Sequence, residues 1–175
     1  MKVIKTRITF LIICTAYMGC QEKKSFETPE VLATAYIDFI NNGLNYSDYV
    51  ALLSTPEEAH SFGFIDNPGG LEKAEEYKQK TLQYLIRIDK EWESIKEIEM
   101  NRLNEFQQWN HLQPPPYNYQ YMDTKYKSEN FYKNNKIIAV DGLGNQVIFK
   151  IKYLYRVNNN WKILLPDGDI IEMSN

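Results

Sequence analysis

The sequence has few of the residues on which metal sites and covalent catalysis depend. Its 175 residues include two cysteines and two histidines, and His60 and His111 are too far apart for a His-x-His or His-x-x-x-His pair. It also lacks a Cys-x-x-Cys pair, a Gly-x-Ser-x-Gly elbow, a phosphate-binding glycine loop and a Gly-x-Gly-x-x-Gly fingerprint. We therefore assign no catalytic residue, expect neither metal nor cofactor, and expect a protein that is not an enzyme.

Long apolar runs are also missing beyond the N-terminus. Only one segment, within the first 20 residues, is apolar for long enough to enter a bilayer, which excludes a polytopic membrane protein. Hydrophobic residues make up 43% of the chain and charged residues 25%, which are ordinary proportions for a globular protein. The composition therefore predicts one folded domain rather than a disordered chain.

The N-terminus has the parts of an export signal. Three basic residues lie among the first seven, residues 8–16 form a short apolar core, and Gly19-Cys20 follows. In this segment the chain resembles bacterial lipoprotein precursors. The resemblance implies that the Cys20 thiol receives a diacylglycerol group, that the signal peptide, residues 1–19, is removed, and that the new amino group is acylated.

Two positions depart from the usual lipoprotein pattern. Tyr17 stands where an aliphatic residue is common, and Met18 where a small residue is common. The alternatives are an ordinary secretory signal with an incidental cysteine and an uncleaved anchor helix, for which the apolar core is short. If Cys20 is lipidated, several acyl chains together give stable anchoring, at ~0.8 kcal/mol per buried methylene.

The mature chain that this resemblance implies has no free thiol, because Cys14 leaves with the signal and Cys20 carries the lipid. Losing three basic residues leaves 17 against 23 acidic ones, a formal charge of −6 that makes nucleic acid a poor partner. Residues 20–28 are predicted to be a flexible tether and residues 29–175 a single domain. We expect a lipid-anchored, periplasm-facing protein of the bacterial cell envelope, with the membrane as one partner and an envelope protein as a candidate second partner.

The first half of the folded region has helical periodicity. Thr28-Pro29-Glu30 is a typical helix start and Asn41-Asn42-Gly43 a typical helix end. A second short helix is predicted over about 46–54, and residues 61–70 are predicted to form a loop because they end in Pro-Gly-Gly. Residues 71–110 contain neither proline nor glycine, and predict either one long helix or two helices end to end.

The long helical segment carries one apolar seam. Around Glu99 and Arg102 the seam weakens, and a bend or a loop is the alternative there. On either side of that weak patch the seam residues recur every three or four positions: Leu85, Ile88, Trp92, Ile95, Leu103, Phe106 and Trp109.

Beyond Pro114-Pro115-Pro116, which must end any helix, the periodicity changes to that of strands. Aromatic and polar residues alternate from Tyr117, a short apolar run covers residues 137–140, and a long strand with a basic face covers 146–157. An asparagine turn then leads to a last strand at 161–165. Helices followed by an antiparallel meander predict an α+β fold.

This order of elements resembles the NTF2-like fold, a cone-shaped α+β domain. The points of likeness are the helices at 29–42 and 45–54 and the final strand at Trp161-Lys162-Ile163-Leu164. The helical segment 71–110 is much longer than the family's usual third helix. The resemblance implies a possible cone but no particular function, because the same fold serves enzymes, binding modules and scaffolds.

Two surfaces are candidate binding sites. The first is aromatic and could line a pocket or an adhesive face, unless its rings form the core and edge of the sheet: Tyr117, Tyr119, Tyr121, Tyr126, Phe131 and Tyr132. The second is basic and could meet an acidic partner or lipid headgroups, unless it is a solvated sheet face: Lys150, Lys152 and Arg156, with Lys136 and Lys162 as further members.

The sequence favours a membrane-tethered, non-enzymatic binding or accessory module. An immunity-type protein that neutralises a toxin in the envelope is a specialised alternative. A small-molecule enzyme in an NTF2-like pocket is a further alternative, and it requires convergent Asp, His or Tyr side chains at the mouth of the cone. Asp38 is the obvious acid for that role, but it lies off the apolar stripe of the first helix and is expected to be solvated.

Overall fold

A computed structural model describes residues 24–66, 70–164 and 170–174 of the chain. Its helices are α1 Pro29–Asn41, α2 Tyr46–Leu52, α3 Pro56–Asp66 and α4 Leu71–Asn110, and its strands are β1 Asn118–Lys127, β2 Phe131–Val140, β3 Gln146–Val157, β4 Asn160–Ile163 and β5 Glu172–Ser174. The predicted α+β class, with a long helix followed by an antiparallel sheet, is confirmed, and the finer expectation of an NTF2-like cone stays a prediction. The predicted signal and Cys20 lie outside the described residues.

The first helix forms as its end signals predict. The Thr28 hydroxyl accepts a hydrogen bond from the Val31 N–H at 3.3 Å, and Pro29 occupies the first turn. The helix ends before Gly43, which has a φ of +70°, a conformation that glycine adopts without strain. Its buried face is apolar: Leu32, Ala33, Tyr36, Ile37, Phe39 and Ile40.

The third helix replaces part of a predicted loop. Thr55 and Glu58 form a reciprocal capping box. The Thr55 N–H donates to the Glu58 carboxylate at 2.9 Å, and the Glu58 N–H donates to the Thr55 hydroxyl at 3.2 Å. Phe62 is buried, with its ring centroid 4.9 Å from that of Tyr155 on the sheet. Because the cap starts this helix and Phe62 fixes it to the sheet, the loop prediction is wrong for residues 61–66.

The fourth helix is continuous over 40 residues, about 60 Å, which confirms the long helical segment and decides between the two alternatives in favour of one helix. The predicted seam is wrong at Trp109, whose side chain is 83% exposed. Burial near the end of the helix follows Leu103 and Gln107, four residues apart. This spacing places Trp109 on the opposite side of the helix.

The sheet is antiparallel in the order β1-β2-β3-β4. Strand β5 also pairs with β3, at residues 148–150, whereas β4 pairs with β3 at residues 154–157. Strand β2 begins earlier than the predicted run at 137–140, because the buried Asn135 finds partners. Its side-chain amide donates to the Ile151 carbonyl at 2.9 Å and its oxygen accepts from the Thr124 hydroxyl at 2.9 Å. A buried polar residue with its hydrogen bonds satisfied is compatible with a central strand.

The turn between β2 and β3 is fastened to the end of α4. The Asp141 carboxylate accepts hydrogen bonds from the backbone N–H groups of Gln113, Leu143 and Asn145 and from the Asn145 side chain. Desolvation raises the pKa of Asp141, but these bonds outweigh it and lower the pKa to about 2.

The main core lies between the sheet and helices α1, α2 and α4. Phe39 and Trp92 both stack on Tyr49, with centroid distances of 5.2 Å and 5.6 Å. A smaller cluster joins α3 to the far end of β3, and its buried members are Ala59, Phe62, Tyr155, Val157 and Leu164. Among the described residues, no helix combines the length and apolar character that crossing a membrane requires.

Candidate functional site

The outward side of the sheet carries a row of charged residues across four strands. Asp123, Lys136, Lys150 and Glu172 are successive register partners on β1, β2, β3 and β5. The Lys150 ammonium lies 3.3 Å from a carboxylate oxygen of Glu172. The row therefore places two lysines side by side between two acids.

A depression of about 400 Å³ lies against this row. Its lining includes Lys136, Lys150 and Lys152 with Glu172 at one side, and we name these four residues the lysine face. Like charges directly opposite each other on neighbouring strands destabilise a sheet. An anionic group placed between Lys136 and Lys150 would relieve that repulsion, so this surface suits a carboxylate or phosphate.

The predicted basic surface is only partly brought together. Lys150 and Lys152 share the depression, whereas Arg156 lies four residues beyond Lys152 on β3, about 13 Å away. The Lys162 side chain is buried, and its ammonium donates to the Ala51 carbonyl and lies 5.2 Å from the Phe26 ring centroid. The prediction is wrong for Lys162, because its ammonium is buried against α2 and Phe26 rather than exposed on the basic face.

The predicted aromatic surface is divided between core and solvent. Tyr117 is 2% exposed, and its hydroxyl accepts from the Gln107 amide at 2.7 Å while Asn41 bonds both its N–H and its carbonyl. Burial raises the pKa of Tyr117. Tyr119 is half-buried and Tyr121 is 54% exposed, because a bulge between them breaks the alternation. The interpretation of Tyr117 as a binding residue is therefore wrong, and Tyr121 alone of the three is well exposed.

A polar cluster that sequence reasoning missed lies inside the domain. Glu99, 4% exposed, accepts hydrogen bonds of 3.2 Å from the backbone N–H groups of Ile170 and Ile171. The Tyr36 hydroxyl donates to the Ile170 carbonyl at 2.8 Å, and the pKa of Tyr36 is raised by burial and then by the charge of Glu99. One feature of the sequence indicated that Glu99 is buried, because it occupies a position of the apolar seam of the long helix.

The neighbouring tyrosines complete this interior. The Tyr49 and Tyr84 hydroxyls are 2.7 Å apart. Burial raises the pKa of Tyr49 well above its usual value, and burial raises the pKa of Tyr84 to about 12. The hydroxyls of Tyr36, Tyr49 and Tyr84 therefore keep their protons at neutral pH. Glu99 and Tyr36 hold the backbone that leads into β5.

The remaining titratable candidates are dispersed. His60 Nε2 lies 4.0 Å from a Glu75 oxygen, at the outer side of the α3–α4 pair. His111 caps the far end of α4 with a φ of 55°, and Asp38 is exposed as expected. Within residues 24–66, 70–164 and 170–174, no group of three His, Cys, Asp or Glu side chains is placed to hold a metal ion.

Comparison with known proteins gives no match at the level of a family model, a curated protein sequence or a solved structure.

Proposed function

We propose that this chain is a lipoprotein of the bacterial cell envelope, anchored through Cys20, that acts as a non-enzymatic binding or accessory module. The basic segment, the short apolar core and Gly19-Cys20 support the anchor. The interior supports a non-enzymatic role, because Glu99 and Tyr36 are bonded to backbone groups of the chain itself.

The lysine face is the observation that carries the binding proposal. It concentrates three lysines and one glutamate around a depression, on a mature chain whose formal charge is otherwise strongly negative. An envelope protein with an exposed acidic group fits this surface, and complementary charges of this kind accelerate association and select partners. Tyr121, one row away on the same side of the sheet, offers an exposed ring for the rim of the contact.

Reversing the charge of the lysine face tests this proposal. Intact cells expressing tagged wild type, Lys136→Glu/Lys150→Glu or Cys20→Ala are crosslinked, solubilised in detergent, and examined for captured envelope proteins by mass spectrometry. A matched control, Lys90→Glu/Lys96→Glu on α4, changes the net charge equally. We expect the captured partner to bind the lysine-face variant about tenfold more weakly, ~1.4 kcal/mol, and the control normally.

Two outcomes contradict the proposal. If the lysine-face variant and the control capture the partner equally, the lysine face does not take part in recognition. If no form captures a defined protein, the proposed binding role is wrong. A captured toxin would assign the immunity-type version of the same function.

A further inference from the structure

The segment that leads into α1 is held against the domain by hydrogen bonds and an ion pair. Phe26 is 3% exposed, its N–H donates to the Asn160 side-chain oxygen at 2.6 Å, and its carbonyl accepts from the Trp161 N–H at 2.8 Å. The Lys24 ammonium lies 2.6 Å from an oxygen of Asp48 in α2. Residues 24–28, which the sequence places in a flexible tether, are therefore held against α2 and β4.

Because residues 24–28 are held against the domain, only a short stretch of chain separates the domain from the proposed anchor at Cys20. Four residue steps separate Cys20 from Lys24, and an extended chain advances at most about 3.6 Å per step, so the connection spans no more than about 14 Å. A tether that was free as far as Thr28 would span about 29 Å by the same measure.

We infer that the domain lies directly against the bilayer, with the surface around Lys24 facing the lipid headgroups; this inference rests on the proposed anchor at Cys20. We name this surface the tether surface, and its exposed members are Lys24, Ser25, Glu27 and Ser47. All four are polar, which suits contact with headgroups rather than insertion among acyl chains. The body is consequently confined to the layer next to the membrane.

The opposite end of β3 provides a distant reference point. Phe26 bonds Asn160, which pairs with Val157 at one end of β3, while Leu143 belongs to the turn that precedes Gln146 at the other end. The 11 steps of β3 between these ends span about 36 Å. Leu143 is 72% exposed, so a label there reports on solvent far from the tether surface.

Single-cysteine labelling tests the inference, because lipidation would occupy Cys20 and the mature chain has no other thiol. Ser25→Cys and Leu143→Cys are each purified as the lipidated full mature chain, labelled with a fluorophore, and placed in vesicles of phosphatidylethanolamine and phosphatidylglycerol containing nitroxide-headgroup lipid. We expect quenching at position 25 to exceed that at position 143 several-fold. A Gly-Ser insertion of about ten residues between Lys23 and Lys24 should abolish most of the difference.

Equal quenching at the two positions, or a difference that survives the insertion, would overturn the inference. The proposed anchor fails separately, since an unlipidated chain would not float with the vesicles at all. Flotation with equal quenching therefore rejects only the close apposition.

Discussion

At the scale of single residues, Glu99 links the long helix to the last strand. Its position in the apolar seam suggests a bend when the sequence is considered alone, because a carboxylate in a core is costly. The structure resolves this conflict with two backbone N–H donors from residues 170 and 171. Those donors are about 70 residues away in the chain, so no local pattern predicts them.

Replacing Glu99 with leucine should destabilise the protein by about 2–5 kcal/mol, because the buried N–H groups of Ile170 and Ile171 lose their acceptors. Glu99→Gln keeps one acceptor oxygen and should cost less. The control Glu93→Leu, at an exposed position of the same helix, should change stability by no more than about 0.5 kcal/mol. Urea unfolding followed by circular dichroism measures all three, and equal losses for the two leucine variants would contradict the role of Glu99.

At the scale of elements, helix boundaries with strong local signals follow from the sequence. Thr28, Pro29 and Gly43 set the limits of α1 without help from the rest of the chain. Residues 61–66 are helical instead because Phe62 contacts Tyr155 on the sheet and Gly63 lies against Ala74 of α4. The turn-forming residues at 67–70 suggest a loop over this segment because local sequence carries no information about those contacts. The charged row of the lysine face likewise depends on strand register, and Glu172 belongs to a strand that periodicity did not predict.

The contact between α3 and α4 requires a glycine at position 63. A Cβ atom there would lie 2.3 Å from the Ala74 Cα, which is backbone and cannot move aside alone. We expect Gly63→Ala to lose about 1–3 kcal/mol of stability. Gly142→Ala is the matched control, because nothing lies within 4 Å of its added Cβ. If thermal unfolding shows Gly63→Ala to be as stable as this control, the close approach of the two helices is wrong.

At the scale of the whole molecule, the α+β class and the order of helices before strands follow from periodicity, because both are properties of local sequence. The attachment of residues 24–28 to the domain does not follow from periodicity, since the hydrogen-bond partners of Phe26 are Asn160 and Trp161, more than 130 residues later in the chain. These long-range bonds convert a predicted tether into part of the domain. With the proposed anchor at Cys20, they also limit how far the lysine face can lie from the membrane.

The intact mass and N-terminal peptide of the mature chain, purified from the envelope of expressing cells, test the anchor most directly. We predict a chain that begins at Cys20, carries diacylglycerol and an acylated amino group, and partitions into detergent, whereas Cys20→Ala yields no lipidated species. A chain that begins elsewhere, or one that retains an unmodified Cys20, would contradict the proposed anchor.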